Sequence, residues 1–245
     1  MDKAFNDNIR PLLDLAEKLT PLLKGTNIKL PRIASCGMQS HGKSSTLESI
    51  THISLPKGDG TVTICPIKIS LRNSDKEYAR IKFEFESEEK YKTIKLNEIS
   101  DKIIEYQNEA KKMHEVKIED KIEDKKEDKK EEIKLFDEVI QVEVNRKNAP
   151  NLTLYDLPGL NFKESIKEQS AMINEKYLKE EETTVLLVLS GEEEITNAYT
   201  IEWMKKIPNY QKRFNPIITK ADRINKKIEL YLDEINSWVY KIILL

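Results

Sequence analysis

The sequence is poor in glycine and cysteine and has no long apolar run. Only 7 of its 245 residues are glycine, whereas average usage predicts about 17, so collagen-like and glycine-rich linker sequences are excluded. The sequence shows no export signal, so its two cysteines, Cys36 and Cys65, are expected to be reduced thiols rather than a disulfide. The longest uncharged apolar stretch, at 183–189, is far shorter than the roughly 20 residues of a membrane span. Neither a signal peptide nor a transmembrane helix is predicted.

Charge is almost balanced over the whole chain but concentrated in one segment. The net charge of −2 is too small to predict nucleic acid as a partner. Residues 115–134 contain 16 charged side chains, and 117–132 repeat a tetrapeptide four times (KIED, KIED, KKED, KKEE). Like charges four residues apart oppose a helix, while opposite charges three apart favour one. We therefore expect a solvated insert, either disordered or a frayed charged helix; no motif supports the alternative of a docking tract.

The hydrophobic pattern predicts an α/β protein. Within 1–28, a leucine stripe at 9–23 predicts an amphipathic N-terminal helix, and 29–245 alternates strands with helices. Segments 62–71 and 80–86 are expected to pair as a hairpin. The pattern favours a central, mostly parallel sheet flanked by helices, with ligands beyond the carboxyl ends of the strands. Further strands are predicted at 33–36, 139–144, 152–155, 183–189 and 216–219, and helices at 44–50, 99–110, 167–179 and 199–206.

Residues 37–44 read GMQSHGKS and match G-x-x-x-x-G-K-[ST] between a predicted strand and a predicted helix. Glycines such as Gly42 allow backbone amides to curl around phosphates, and the helix N-terminus adds partial positive charge. Lys43 is expected to contact the β and γ phosphates, and the Ser44 hydroxyl to bind Mg²⁺. An ordinary strand-to-helix turn requires neither the lysine nor both glycines, so the motif predicts phosphate binding.

Two further motifs follow predicted strands. Asp156, in DLPG at 156–159, lies where a P-loop enzyme holds Mg²⁺ through water, and the Gly159 amide is placed to contact the γ phosphate. Residues 219–222 read TKAD, in which Asp222 is expected to accept hydrogen bonds from the guanine N1–H and N2 amine, which adenine cannot supply. The alternative interpretation of TKAD is a charged helix cap.

The loop at 54–63 carries two threonines, Thr61 and Thr63, between the predicted P-loop helix and the next strand. A threonine in this connection closes on Mg²⁺ and the γ phosphate in P-loop GTPases. Position in the loop alone leaves both candidates open.

Together these segments resemble the GTPase domain of the dynamin superfamily. The similarity lies in LPRIA at 30–34, GMQSHGKSS at 37–45, LPKGDGTVTICP at 55–66 and LTLYDLPG at 152–159, with TKAD completing it. The start of the chain is slightly more similar to the Mx branch than to the fission dynamins. The resemblance implies a P-loop GTPase domain over 29–245, ending before the C-terminal segments expected of the family.

The resemblance also implies roles for individual residues. Gln39 would help to position the attacking water, Thr63 would be the switch threonine, and Ser40 with the backbone of Gly58 and Gly60 would hold a monovalent cation, K⁺ or Na⁺. Mg²⁺ would be bound by Ser44 and Thr63, and by Asp156 through water. The catalytic set implied is Gln39, Ser40, Lys43, Thr63 and Gly159. The nucleotide-binding set is Gln39, Ser40, His41, Gly42, Lys43, Ser44, Ser45, Asp156, Gly159, Thr219, Lys220 and Asp222.

The resemblance leads to a functional hypothesis: GTP hydrolysis stimulated by nucleotide-dependent pairing of two GTPase domains. In a full-length form this would serve membrane remodelling or Mx-like defence, in the cytoplasm or at the periphery of membranes. Membrane or microtubule association would require regions absent from this sequence. Glu194 lies near the position of a carboxylate that acts across the pair, and His41 is expected to be an exposed side chain. The alternatives are a truncated nucleotide-binding or interaction module without efficient turnover, and an ATP-dependent P-loop enzyme.

Overall fold

A nine-stranded sheet forms the centre of the computed structural model, which describes residues 32–58, 62–119, 134–192 and 199–224, together with 15, 19, 233, 243 and 244. The strand order is β4-β3-β5-β2-β6-β1-β7-β8-β9. The strands are β1 (Arg32–Cys36), β2 (Ile67–Asn73), β3 (Tyr78–Phe83), β4 (Lys92–Ile94), β5 (Ile140–Arg146), β6 (Leu152–Asp156), β7 (Thr183–Ser190), β8 (Phe214–Thr219) and β9 (Ile243–Leu244).

The sheet is mixed, with a parallel half and a half that contains antiparallel pairs. The run from β6 through β1, β7 and β8 to β9 is parallel throughout. In the other half, β2 is antiparallel to β6 but parallel to β5, and β3 is antiparallel to both β5 and β4. Five of the eight pairings are parallel, which confirms the predicted α/β fold.

Five α-helices are described around this sheet. The helix after β1 packs against β1 and β6, the longest helix against β3 and β5, and the helix after β6 against β1 and β7. None of the described helices combines the length and the apolar character of a membrane span. The helices are α1 (Lys43–Thr51), α2 (Ile99–Glu119), α3 (Glu164–Leu178), α4 (Tyr199–Met204) and α5 (Tyr210–Arg213).

The predicted hairpin between 62–71 and 80–86 is wrong. Strands β2 and β3 are separated by β5, which pairs with both of them. The short connection after β2 instead crosses the end of β5, where the Ser74 N–H donates to the Arg146 carbonyl at 3.1 Å. The side chain of Asn73 accepts a hydrogen bond from the Asn148 N–H at 3.0 Å in the same turn. The alternating pattern identified two strands correctly but contained no information on the distant strand between them.

Helix α2 extends beyond its predicted end at residue 110. Its inner face is formed by Ile99, Ile103, Tyr106 and Ala110, each at most 3% exposed, at the spacing of one helical stripe. Lysine and glutamate are good helix formers, and the backbone remains helical to Glu119. The first five residues of the charged segment 115–134 therefore belong to α2, and 120–133 lie outside the described residues.

Several predicted features lie wholly or partly outside the described residues. These include most of the N-terminal helix, of which Leu15 and Leu19 are described and exposed. Gly60, Thr61 and Glu194 are also outside. Cys36 and Cys65 are both buried free thiols, which agrees with the expectation that they do not form a disulfide, and burial raises the pKa of each to about 12.

Arg213 joins three segments at the base of the parallel half of the sheet. The residue is 8% exposed, and its guanidinium donates to the carbonyl of Thr183 at 3.0 Å and to that of Pro208 at 3.2 Å. A third hydrogen bond reaches the carbonyl of Leu178, the last residue of α3. The side chain thereby satisfies carbonyls at the end of α3, at the start of β7 and before α5.

We expect Arg213→Met to lower the free energy of unfolding by about 3 kcal/mol, because buried carbonyls would lose a charged donor. For a chain of this length, this corresponds to a melting temperature lower by roughly 10 °C. Thermal denaturation followed by circular dichroism measures the difference. Lys212→Met, at the exposed neighbouring position, is the matched control; equal melting temperatures for the two variants would contradict this role.

Candidate functional site

A cleft of about 280 Å³ opens beside the loop that connects β1 to α1. It lies at the carboxyl end of a central parallel strand, where ligands bind in open α/β sheets. Nine of the predicted site residues line it: Gln39, Ser40, Gly42, Lys43, Ser44, Ser45, Gly58, Thr63 and Gly159; Pro56, Lys57 and Val62 complete the lining. Gly60 cannot be placed because it lies outside the described residues.

Two residues of the β1–α1 loop, a glycine and a serine, have a left-handed backbone conformation. Gly42 precedes α1 with a φ of +87°, and Ser40 has a φ of +64°, both in the left-handed region that favours glycine. A side chain on Gly37 would meet the Val188 carbonyl oxygen at 2.3 Å. The loop therefore curls closely over the end of β7, and the amides at the start of α1 are positioned to face a bound anion.

Lys43 is held inside this loop. Its side chain is buried, and Nζ donates to the Met38 carbonyl at 3.0 Å. Burial lowers the pKa of the ammonium group, while the nearby Asp156 carboxylate opposes that shift. The lysine thus spans the loop from the first turn of α1, with its charge at the floor of the cleft.

Asp156, the last residue of β6, is fully buried behind Ser44. Its two carboxylate oxygens accept hydrogen bonds from Ser44 Oγ at 2.8 Å and from Ser35 Oγ at 2.9 Å. Burial raises the pKa of this carboxyl group, and Lys43 and both hydroxyl groups act in the opposite direction. Sequence reasoning missed Ser35. The feature that identifies it is its position directly opposite Asp156 in the parallel pairing of β1 and β6.

Gly159 lies against the β1–α1 loop so closely that only glycine fits. A Cβ at this position would be 2.7 Å from Gln39 Cα and 2.9 Å from Lys43 Nζ. The two loops are also joined by backbone hydrogen bonds, from the Gln39 N–H to the Leu160 carbonyl and from the Leu160 N–H to the Gly37 carbonyl, each at 3.1 Å. The DLPG segment and the P-loop therefore form one unit.

Gln39 has a side-chain partner that sequence reasoning missed. Its Oε1 accepts a hydrogen bond from Nδ2 of Asn161, two residues beyond the DLPG motif. Asn161 Oδ1 in turn accepts the Lys163 N–H at 2.9 Å. This connection fixes the Gln39 side chain at the rim of the cleft. No pattern in the sequence indicates it, because the partners are 122 positions apart.

The opposite wall of the cleft is supported from α1. Glu48 Oε1 accepts the Leu55 N–H at 2.7 Å, and the Glu48 carboxylate also pairs with Lys57. These contacts hold the stretch that leads to Gly58. Beyond the undescribed residues 59–61, the chain returns to the cleft at Thr63, which is 9% exposed.

His41 is buried, at 5% exposure, so the expectation of an exposed side chain is wrong. It does not line the cleft. Its carbonyl accepts a hydrogen bond from Thr219 Oγ1 at 2.7 Å, and the same hydroxyl approaches the Leu189 carbonyl at 3.2 Å. The β1–α1 loop packs over the end of β8 at this point, which removes the histidine from solvent. The first residue of the TKAD motif is therefore joined directly to the P-loop.

The remaining TKAD residues lie beside the cleft. Lys220 has a left-handed backbone, with a φ of +52°, and Asp222 projects outward with its side chain 82% exposed. Glu192, after β7, forms ion pairs with Lys220 and Arg223, and these hydrogen bonds lower its pKa to about 2. Sequence reasoning did not select Glu192 from the three consecutive glutamates at 192–194.

The oxygen atoms of the site suit a magnesium–phosphate complex rather than a complete metal cage. In the part of the chain that the structure describes, no cluster of three or more histidine, cysteine or acidic side chains forms a metal site. Mg²⁺ commonly takes one or two protein oxygens and completes its shell with water and phosphate. Ser44 and Thr63 line the cleft, and Asp156 lies directly behind Ser44, so the hard oxygen atoms that these residues offer fit that ion in their chemistry.

Comparison with known proteins agrees with this geometry. The model of the Dynamin family matches residues 33–221. Over 94% of its length, the chain is 29% identical to interferon-induced GTP-binding protein Mx1 of Ictalurus punctatus and 28% identical to interferon-induced GTP-binding protein Mx of Perca fluviatilis. It spans 35% of the first relative and 72% of the second. Because the family match includes the P-loop, DLPG and most of TKAD, the chain belongs to the dynamin family.

Proposed function

We propose that this chain binds GTP with Mg²⁺ and hydrolyses its β–γ phosphoanhydride bond. The observation that carries the proposal is the packing of Gly159 against Gln39 and Lys43, with Asp156 bonded to Ser44 directly behind. These are the groups that phosphoryl transfer requires: a lysine and amides for the phosphates, oxygens for the metal, and a glycine amide beside them. The relatives from Ictalurus punctatus and Perca fluviatilis are named GTP-binding proteins, which supports the choice of nucleotide.

Different residues of the cleft would bind the phosphates and the metal ion. Lys43 and the amides at the start of α1 bind the phosphates, and Ser45 adds a hydroxyl at the exposed edge. Ser44 and Thr63 hold Mg²⁺, with Asp156 acting through water, and the ion neutralises charge on the phosphate oxygens. Since burial disfavours a charged Asp156 carboxylate, a nearby cation would favour its ionised form.

Catalysis is assigned to the rim of the cleft. Gln39, oriented by Asn161, positions the attacking water, and Thr63 and the Gly159 amide contact the γ phosphate. Ser40 and the backbone of Gly58 and Gly60 hold K⁺ or Na⁺. That charge would offset negative charge developing in the transition state.

Base selection is assigned to the TKAD segment. Asp222 is exposed, with a long ion pair of 3.9 Å from Arg223 Nε to its Oδ2, and would accept two hydrogen bonds from guanine while the Lys220 stem packs along the base. The bond from Thr219 to the His41 carbonyl supports this assignment, because it fixes the motif relative to the phosphate site.

We further propose that two copies pair across their nucleotide clefts. Ser40, Lys57 and Gly58 are exposed at the cleft, where a second copy would exclude water from the reaction. In a longer protein, the cycle would serve membrane remodelling or an Mx-like defence, in the cytoplasm or at membrane surfaces. The competing function is a nucleotide-binding module without efficient turnover.

We expect Lys43→Ala to abolish tight GTP binding, since the main positive charge on the phosphates is removed. Thr63→Ala should instead retain GDP binding and lose at least about 90% of turnover, in line with the loss of one transition-state contact. Phosphate release and fluorescent-nucleotide binding measure the two effects. Lys112→Ala and Thr93→Ala, at exposed positions outside the cleft, are matched controls.

Turnover per molecule should rise with protein concentration if pairing stimulates hydrolysis. The measurement is phosphate release over a dilution series with saturating GTP. Turnover that neither Lys43→Ala nor Thr63→Ala lowers would contradict the proposed function. Tight binding of a GTP analogue without phosphate release at any concentration would favour the non-hydrolysing module.

Asp222→Asn should exchange guanine for xanthine as the preferred base. An asparagine amide no longer offers two acceptors to guanine, but its N–H₂ group can donate to the C2 carbonyl of xanthine. We expect GTP affinity to fall about 10- to 100-fold, as for loss of charge-assisted hydrogen bonds, and XTP affinity to rise. Competition binding with GTP, XTP and ATP measures this, with Asp75→Asn, an exposed aspartate in the turn after β2, as the control. Competition by ATP but not GTP in the unmodified chain would instead favour an ATP-dependent enzyme.

A further inference from the structure

The backbone directly after Thr63 is fixed on both sides by distant residues. The Ile64 N–H donates to Gln107 Oε1 at 2.7 Å, and the Ile64 carbonyl accepts the Phe136 N–H at 2.9 Å. Ile64 is 5% exposed and Gln107 is 4% exposed. Thr63 itself lines the nucleotide cleft. The position of its hydroxyl therefore depends on a peptide unit that is held from α2.

Gln107 is an unusual residue for the position that it occupies. It lies on α2 one turn after Ile103 and next to Tyr106, which are both buried against the sheet. An amide in such surroundings is costly unless it is hydrogen-bonded, and an apolar side chain would suit the packing of this helix face better. The Ile64 N–H is equally buried and requires an acceptor. The two groups satisfy each other over 43 positions of sequence.

The second contact connects the other side of Ile64, through its carbonyl, to the far side of the site. Phe136 belongs to the segment that leads into β5, and the preceding residue, Leu135, donates its N–H to Gln169 Oε1 at 3.2 Å. Gln169 lies on α3, the helix that follows the DLPG segment. Ile64 is thus braced between α2 and a strand connection that is bonded to α3.

We propose that Gln107 is a positioning residue for Thr63, acting through the Ile64 N–H. It does not contact the nucleotide; it fixes the backbone so that the Thr63 hydroxyl faces the cleft. This role rests on the proposed function, in which Thr63 responds to the γ phosphate. Gln107 should therefore favour binding of GTP over GDP, because only GTP offers the group to which Thr63 responds.

The test compares the full chain with Gln107→Leu, which keeps the size of the side chain and removes the acceptor. The ratio of affinities for a non-hydrolysable GTP analogue and for GDP, both with Mg²⁺, should fall about three- to tenfold, the range for loss of one buried hydrogen bond. GDP affinity should be unchanged. Tyr106→Phe is the matched control, because it removes a hydrogen bond from the neighbouring residue of α2 to the Ile81 carbonyl without affecting Ile64.

A double-mutant cycle with Thr63→Ala separates positioning from a general effect on folding. If Gln107 acts through Thr63, adding Gln107→Leu to Thr63→Ala should lower the affinity ratio no further. A full additional decrease would overturn the proposal, as would an equal decrease in Tyr106→Phe or an unchanged ratio in Gln107→Leu. Unmodified chain that binds no guanine nucleotide would refute the proposed function and this role with it; an unchanged ratio refutes the role of Gln107 alone.

Discussion

The rest of the site depends on the hydrogen bonds that the buried Asp156 carboxylate accepts. Asp156 ends β6 directly opposite Ser35 of β1 and accepts hydrogen bonds from that serine and from Ser44 in the first turn of α1. Two neighbouring strands and helix α1 are therefore joined at one fully buried group. Burial raises the pKa of this carboxyl group, and Lys43 opposes the shift. A charge in such a position is costly unless other groups compensate it, so this network constrains the floor of the cleft.

Close approach of backbone segments explains why a chain so poor in glycine keeps glycine here. A Cβ on Gly159 would clash with both the backbone of Gln39 and the Lys43 ammonium group. Gly37 lies equally close to the Val188 carbonyl. At Gly159 the requirement is steric, because any larger residue would separate two loops that are in contact. At Gly37 a φ of +155° adds a conformational requirement that glycine meets most readily.

The two segments expected to respond to the γ phosphate are each hydrogen-bonded to a distant part of the chain. Asn161 links the DLPG loop to Gln39 in the P-loop, and Gln107 links the segment after Thr63 to α2. Buried hydrogen bonds of this kind reduce the number of conformations that a loop samples. This arrangement gives the dynamin-family cleft in this chain a defined geometry on both sides.

Local sequence determined the P-loop, Asp156, Gly159 and TKAD, because each of these motifs needs only a few consecutive residues after a strand. The same logic located most strands and helices, whose periodicity is visible within ten residues. Tertiary structure alone decided that β5 separates β2 from β3 and that His41 is buried. It also decided that Ser35, Asn161, Glu192 and Gln107 hydrogen-bond to predicted site residues or to a neighbour of one. Apart from the burial of His41, these features are contacts between residues that lie far apart along the chain. The sequence around each of these residues is compatible with many possible partners. Only the folded sheet brings the two residues of each pair into contact.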